Sequence, residues 1–467
     1  MFALRSRHAS AGVWFIISAL ALTPCRAAIF SGDPGFGEQW VRSHPLTVQA
    51  DIWVPSTFDF AEYFGAGLNV LNMGSQFGSV EIRPPEYADR PWMAWILLNQ
   101  QGRDQFDHWK TIPGSIGWIV GDEVGPSGWT IQATYLDYVR QGDPDKRRLV
   151  YANSSHMDND PDSGPAYIQG LRDMVGIVNP DVLSFDVYPF RFNGSVWVRF
   201  FENLMAIRQV AQETDRPYFA FLQGFFDSVS ESANRFNVYT YLTAGYTGFH
   251  YWTYDFRDGL DGLIDSSGDP THRYVSATRT NAEAITLGRV LRLLESTAVR
   301  FVAGEYREPW WPAWISGRNE TPVGLNDWTA GAGSDPHILD IEVLLDDVVG
   351  DLENGLIGLF TDDNDEHYFM LTNLNHGPGL SAPSTALSFA IRFDDTINEL
   401  LRFNRVTGLQ EVVPLADHTL HLTLPGGTGD LFKYNTGPFV PEPATMLFLC
   451  GGATGALLRR RRRFDRH

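Results

Sequence analysis

Short apolar runs recur along the first three hundred residues, and most are followed by a segment with helical spacing or by a polar loop. The runs are nearly continuous in apolar residues, which is typical of parallel strands covered on both faces. The predicted strands are residues 47–54, 67–73, 91–99, 116–123, 148–153, 182–189, 217–224 and 248–255. The clearest helical patterns are residues 131–140, 167–178, 197–213 and 274–294.

Eight strand–helix units in about 250 residues predict an α/β fold of the (β/α)8, or TIM, barrel type. An open doubly wound sheet is the alternative, but no glycine-rich dinucleotide loop follows the first predicted strand. We therefore expect residues 29–300 to form a barrel.

The pattern changes after about Arg300, where short alternating segments separated by turn residues begin. The predicted strands are residues 356–360, 367–373, 386–393, 399–404, 420–424 and 430–434. This predicts a smaller antiparallel β-sandwich over residues 301–438. Residues 308–340 are rich in Trp, Gly and Pro, and we expect a connecting loop or an excursion over the barrel. Its tryptophans either shape a binding cleft or pack between the domains: Trp310, Trp311, Trp314 and Trp328.

The first 28 residues have the order of a secretory signal peptide. Arg5 and Arg7 precede an apolar run at 13–22, and small residues follow near Ala27 and Ala28. The run is too short to span a bilayer. We expect this segment to be removed on export.

The last residues, 439–467, have three parts. Pro-Glu-Pro at 441–443 precedes an apolar stretch at 444–458 and an arginine cluster at 459–463. The stretch is shorter than the roughly 20 residues that a comfortable span needs. A short membrane anchor with a positive-inside flank is one interpretation. The three parts also resemble the PEP-CTERM sorting signal, which implies processing by an exosortase, transient anchoring in the inner membrane, and a final place at the cell surface or outside the cell.

Removing residues 1–28 and the residues after Pro443 would change the composition of the protein. Cys25 and Cys450 would be lost, so stability must come from the core and not from disulfides. Nine arginines and Asp465 would also go, which changes the formal net charge from −20 to −28. Such a surface repels nucleic acid and anionic lipid, so we expect neither as a partner. A neutral sugar is compatible with it.

Polar and aromatic residues mark the C-terminal ends of the predicted barrel strands, where barrel enzymes carry their sites. They are Asp51, Asn72, Asp122, Glu123, Asn153, Asp186, Tyr188, Gln223, Trp252, Tyr254 and Asp255. Carboxylates and amides can bind sugar hydroxyls, aromatic faces can pack against a sugar ring, and an acid can protonate the leaving oxygen. The combination favours a polysaccharide ligand.

Three segments resemble the fourth, sixth and eighth strands of clan A glycoside hydrolases. They read GWIVGDE at 117–123, DVLSFDVYP at 181–189 and GYTGFHYW at 245–252. The resemblance implies that Glu123 is the general acid/base, that Asp122 contacts the sugar and that Trp252 floors its subsite. Asp122 and Glu123 could instead cap the following helix or be solvated loop acids.

The seventh strand departs from that family, because Gln223 stands where a glutamate nucleophile is expected. An amide cannot form the usual glycosyl ester. Another carboxylate could activate a water with inversion; the candidates are Asp51, Asp186, Asp227 and Asp255. Asp186 is preferred because it stands at a strand end, although it could also simply hold a neighbouring loop. Alternatively, the barrel binds sugar without cleaving it.

The remaining site predictions concern binding. Asp51, Asn153, Gln223 and Asp255 are expected to bind substrate. Tyr188, Trp252 and Tyr254 are either sugar platforms or packing residues. No His-x-His or His-Glu-x-x-His pattern occurs, so no metal or cofactor is predicted. The expected function is an exported glycoside hydrolase-like protein acting on extracellular or envelope polysaccharide. The alternative is an inactive carbohydrate-binding or matrix protein on the same barrel.

Overall fold

The computed structural model describes residues 29–439, except for 55, 57, 75–82, 144–146, 158–162, 305–320, 331–334, 345–353 and 435–438. The predicted signal peptide, the tail from residue 440 onward, and Trp310, Trp311 and Trp314 lie outside the described residues. Within the described ranges, no helix is both long and apolar enough to cross a membrane.

Eight parallel strands form the first sheet. They are β1 Thr47–Ala50, β2 Leu71–Met73, β3 Trp92–Ile96, β4 Ser115–Asp122, β5 Leu149–Ser154, β6 Leu183–Phe185, β7 Tyr218–Gln223 and β8 Gly248–Trp252. From β2 to β8 each strand pairs with the next one in chain order, and β1 pairs with β8. The segment entering β2 reaches β1, because the N–H groups of Asn69 and Val70 donate to the carbonyl of Val48. The predicted (β/α)8 barrel is confirmed.

The helices surround this sheet. They are α1 Phe36–Ser43, α2 Phe60–Gly65, α3 Gln100–Trp109, α4 Trp129–Gly142, α5 Ser163–Val178, α6 Phe200–Glu213, α7 Glu231–Thr243 and α8 His272–Leu291. Several begin at a polar side chain that accepts from a free backbone N–H group, such as Asn99 before α3 and Ser230 before α7. Phe36 and Trp40 of α1 pack in one cluster with inner strand residues such as Met93 and Tyr151. This helix closes the end of the barrel where the strands begin.

The second domain is a sandwich of two antiparallel sheets. Its strands are β9 Glu295–Val302, β10 Ile338–Leu344, β11 Gly355–Thr361, β12 His367–Asn373, β13 Leu387–Phe393, β14 Glu399–Phe403, β15 Gln410–Pro414, β16 Thr419–Leu424 and β17 Gly429–Tyr434. The sheet orders are β10-β13-β16 and β15-β14-β17-β12-β11-β9. All six predicted strands are present, and the structure adds β9, β10 and β15. Strand β9 pairs with β11, so the sandwich begins a few residues before Arg300.

Helix α7 joins the two domains. Every residue of it after Glu231 is buried, because the barrel covers one side and the sandwich the other. The hydroxyls of Thr243 in α7 and Thr372 in β12 are 2.6 Å apart. Gly358 in β11 lies against the backbone of α7, because a Cβ added to it would be 2.0 Å from the carbonyl oxygen of Thr243.

Candidate active site

A β-bulge ends strand β4 at the open end of the barrel. The register with β5 shifts between Ile119 and Asp122, and Gly121 and Glu123 have φ angles of 77° and 46°. A left-handed conformation at a non-glycine residue costs about 1–3 kcal/mol and is found most often at functional sites. The N–H of Glu123 donates to the carbonyl of Asn153 at 3.1 Å, which fixes the strained residue in place.

A cavity of about 340 Å³ opens at this end of the barrel. Its polar lining consists of Asp51, Asp122, Glu123, Asn153 and Asp186. Its aromatic lining consists of Trp53, Trp95, Tyr188, Phe221 and Trp252. Ten of the rim residues were assigned a catalytic or binding role from the sequence, and seven of these ten share this cavity.

Glu123 and Asp186 lie next to each other in this cavity. One oxygen of each carboxylate and one ring nitrogen of His156 are all within 4.8 Å of one another. Nδ1 of His156 is 4.0 Å from Oε1 of Glu123, and both side chains are about half exposed. Two carboxylates and an imidazole at this spacing could also hold a metal ion. Sequence reasoning missed His156, although it follows β5 by only two residues and so lies at the same rim.

The carboxylate cluster alters the acidity of its members. Burial, followed by the charges of Glu123 and Asp122, raises the pKa of Asp186 to about 8. The pKa of Asp122 is also raised, first by the protein atoms around it and then by Glu123 and Asp51. The side chain of Asp122 is nevertheless exposed to solvent in the cleft. The cause of its raised pKa is therefore the concave wall of protein around it, and not full burial.

Asn153 orients two of these carboxylates. Its Nδ2 donates to Oδ1 of Asp122 at 3.0 Å and to Oδ1 of Asp186 at 3.3 Å. Its own Oδ1 accepts from the hydroxyl of Ser184 at 3.1 Å, which fixes the direction of the amide. These bonds favour the ionised carboxylates and so oppose the rise in pKa.

Asp51 is the most tightly held acid of the cavity. Its Oδ1 accepts from Nδ2 of Asn72 at 2.7 Å, Nε1 of Trp95 at 2.8 Å and Nε2 of His250 at 2.9 Å. The sequence indicated Asp51 but not Trp95 or His250. A signal existed for His250, because it lies two residues before Trp252 in β8 and so faces the same side of the strand.

Aromatic rings form one wall of the cavity. The ring centroids of Tyr188 and Trp252 are 6.0 Å apart, and Phe225 meets Trp252 edge to face at 4.9 Å. The peptide bond between Trp252 and Thr253 is cis. Flat apolar faces next to carboxylates suit a ligand with both C–H and hydroxyl surfaces.

Three of the predicted site residues lie outside the cavity lining. Gln223 is fully buried, with its Oε1 accepting from the N–H of Phe190 at 2.9 Å and its Nε2 donating to the carbonyl of Phe190 at 3.0 Å. Asp255 accepts from the N–H groups of Trp53 and Val54 and thereby holds the loop after β1. Tyr254 is buried against Tyr63, with ring centroids 5.0 Å apart.

The fold and the cavity define a (β/α)8-barrel protein with a carboxylate-rich, aromatic mouth and a C-terminal sandwich. Residues 439–463 match the family model of the PEP-CTERM protein-sorting motif, which indicates export and sorting to the cell envelope. All but the first of these residues lie outside the part of the chain that the structure describes. No curated protein sequence matches the chain significantly.

Solved structures with a similar fold include several glycoside hydrolases. An endo-β-1,4-mannanase from Thermotoga petrophila is 12% identical, covers 72% of this chain and 96% of its own, and has a TM-score of 0.37. A GH10 xylanase from Thermobacillus composti is 13% identical, and the match covers 52% of this chain and 99% of the xylanase, with a TM-score of 0.35. A GH128 endo-β-1,3-glucanase from Amycolatopsis mediterranei is 11% identical, and the match covers 50% of this chain and 99% of the glucanase, with a TM-score of 0.34. A likeness of this size concerns the fold and says nothing of substrate.

Proposed function

We propose that this chain is an exported glycoside hydrolase that cleaves polysaccharide outside the inner membrane, with Glu123 and Asp186 as the reacting pair. The supporting observation is the approach of their carboxylate oxygens to within 4.8 Å inside an aromatic-lined cavity. A concave pocket with a few converging polar groups and an acid of raised pKa is the usual form of an active site.

The separation favours a retaining mechanism. The two carboxylates lie about 5–5.5 Å apart in retaining glycosidases and about 6.5–9.5 Å apart in inverting ones, where a water must fit between. One oxygen of Glu123 lies within 4.8 Å of one oxygen of Asp186, which leaves less room for a water than the inverting arrangement needs. The sequence had suggested inversion through Asp186, whereas this geometry supports a covalent glycosyl intermediate.

The roles follow from burial. Asp186 is the more enclosed of the two carboxylates and has a pKa near 8, so it holds the proton at neutral pH. Glu123 is 43% exposed in the cleft and is the better placed of the two to attack as an anion. Asp186 would protonate the leaving oxygen while Glu123 bonds to the anomeric carbon, and Asp186 would then activate the water that releases the sugar. The resemblance had implied the acid role for Glu123, and burial favours the exchange of roles.

The other cavity residues would bind and orient the sugar. Asp122 and Asn153 offer hydrogen-bonding groups beside the pair, and Trp252 with Tyr188 offers a platform for a ring. Gln223 keeps its neighbour loop in place instead of touching the ligand. An exosortase would act on the tail, and residues 444–458 would hold the chain in the inner membrane until then.

The test is a hydrolysis screen of the full-length protein against a panel of polysaccharides, with reducing ends as the readout. Glu123→Gln and Asp186→Asn should each reduce the rate by about 10³-fold or more. Asp340→Asn, which removes an acid from β10 of the sandwich, is the matched control and should keep the rate. Full hydrolysis by either cavity variant would contradict the assignment.

Binding without cleavage is the second candidate function, and Gln223 favours it. The residue that stands at the family's nucleophile position is an amide whose two polar atoms are both occupied by Phe190. In that case a polysaccharide would bind with equal strength to the native protein and to Asp186→Asn, and no reducing ends would appear.

A further inference from the structure

The cavity carries an unusual balance of charge. Its lining contains four carboxylates, those of Asp51, Asp122, Glu123 and Asp186, and no lysine, arginine or histidine among the described residues. Buried or crowded charges of one sign are costly unless an opposite charge pairs with them. With Asp186 protonated, three further carboxyl groups still face a space of about 340 Å³.

The nearest bases do not neutralise this charge. His250 contacts only one of the four carboxylates, through Nε2 at 2.9 Å from Oδ1 of Asp51, so it pairs with one charge at most. Arg257 lies over the ring of Trp53 at 4.2 Å and contacts Asp258 at 3.2 Å, and it is not part of the lining. His156 stands at the mouth, 4.0 Å from Glu123, and is about half exposed.

One carboxylate oxygen of Asp51 is available to a ligand. Its side chain is only 5% exposed, and its Oδ1 already accepts three hydrogen bonds. Its Oδ2 receives no donor from the described residues, although Asp51 lines the cavity. Asp122 is close enough for the two charges to repel each other, and only one of its oxygens is bonded, to Asn153. A donor placed between Asp51 and Asp122 would satisfy both.

We propose that the cavity takes a cationic glycan, a polymer of hexosamine units whose amines are not acetylated, with one ammonium group held between Asp51 and Asp122. The inference rests on the proposed function and specifies its substrate class. An ammonium group offers three donors and a full positive charge, whereas a hydroxyl offers one donor and no charge. An acetylated amine is neutral and bulkier, so it would leave both carboxylates unpaired. The acidic surface of the whole chain would also attract a polycation at long range.

The experiment compares matched ligands in full-length Asp186→Asn protein. This variant is chosen because it prevents hydrolysis while the substituted residue stays uncharged at neutral pH, as the protonated carboxyl is. Calorimetric titrations would use a β-1,4-linked glucosamine tetramer, its fully N-acetylated counterpart and a glucose tetramer of the same linkage. We expect the glucosamine tetramer to bind about tenfold or more tightly than either of the others at 0.15 M salt. Equal or weaker binding, or no binding of any of the three, would overturn the inference.

A second comparison separates the cavity from the acidic surface. Adding Asp122→Asn should reduce the preference for the glucosamine tetramer to about twofold or less, whereas adding Asp340→Asn should leave it unchanged. Melting temperatures would establish that the variants fold, and Asp51→Asn provides a second test if Asp122→Asn does not. An equal loss with Asp340→Asn would mean general attraction to the surface and would refute the site.

The two proposals can fail separately. Hydrolysis of a neutral polysaccharide without any preference for the glucosamine tetramer would contradict this inference and leave the proposed function in place. A clear preference for that tetramer, with no cleavage of any glycan by the native protein, would support the binding site and contradict the hydrolase.

Discussion

The side chain of Asp186 shows how the surroundings of one residue raise its pKa. Burial and two neighbouring carboxylates favour its protonated form, and Asn153 partly opposes them with a hydrogen bond. An aspartate in water would have lost its proton at neutral pH. The same environment that stores this proton makes the ionised form of the site less stable.

The activity should depend on this proton. If Asp186 is the acid, hydrolysis should fall as the pH rises through about 8. Asn153→Ala removes the hydrogen bond that favours the ionised form of Asp186, and so raises its pKa further. The alkaline limb of the profile of kcat/KM against pH should therefore move to higher pH. Ser184→Ala, which removes only a partner of Asn153, should move it less. A limb that does not move with Asn153→Ala would argue that another group carries the proton.

The stability of the folded protein should also depend on the protonation of Asp186. A carboxyl whose pKa is higher in the folded than in the unfolded protein contributes stability below about pH 4, and that contribution is lost as the pH rises towards about 8. Asp186→Asn should therefore raise the melting temperature by roughly 2–4 °C at pH 8 and by much less at pH 4. Thermal unfolding at both pH values measures the difference, and an equal gain at the two would speak against the raised pKa.

At the scale of elements, the bulge at the end of β4 places Asp122 and Glu123 together in the cavity. Gly121 and Glu123 both have positive φ angles, and the extra residue turns the glutamate towards the mouth of the barrel. A straight strand would direct Asp122 and Glu123 to opposite faces of the sheet. The bulge brings both into the cavity.

Substitution at Gly121 should disturb this arrangement. A Cβ there would lie 2.9 Å from Nε2 of Gln132, and the φ of 77° is unfavourable for alanine. Gly121→Ala should lower stability by about 1–3 kcal/mol and reduce activity by about tenfold or more. Gly125→Ala in the same loop meets no atom within 4 Å and should be neutral. Denaturation curves and hydrolysis rates of the pair provide the comparison.

The sequence predicted the elements better than the site. Apolar runs located all eight barrel strands, but the predicted sixth strand extended to Pro189, whereas β6 ends at Phe185 and leaves Asp186 at the rim. Strand β15 was missed because no residue in it is buried, so it carries no apolar run. The bonds from Trp95 and His250 to Asp51 were missed because they join residues 44 and 199 positions apart. Strand periodicity indicates a face, but not a partner across the barrel.

At the scale of the whole molecule, α7 makes the two domains depend on each other. Arg235 in this helix pairs with Glu283 of α8 at 2.7 Å and donates to Thr428 of the sandwich at 3.3 Å. The helix is buried on nearly every side, so neither domain is complete without the other. We expect a single cooperative unfolding transition for barrel and sandwich.

Gly358 tests this dependence. An alanine there would meet the backbone of Thr243 at 2.0 Å, so Gly358→Ala should force the domains apart and lower the melting temperature by several degrees, about 2 kcal/mol or more. Gly176→Ala, in α5, meets nothing within 4 Å and should be neutral or slightly stabilising. Calorimetry of the two variants is the measurement. We expect a single unfolding transition at a lower temperature for Gly358→Ala, whereas two separate transitions would show that the domains unfold independently.

The amide of Gln223 has a consequence for how the chain can evolve. One of its atoms donates to Phe190 and the other accepts from it, so the residue depends on having both kinds of atom. A single base change to glutamate would place a carboxylate against the carbonyl of Phe190, without water to solvate it. A glutamate at this position would therefore require a rearrangement of the loop after β6. A change from glutamine to glutamate here therefore passes through a destabilised intermediate, and an engineer who wishes to place a glutamate on the seventh strand would need to redesign both segments at once.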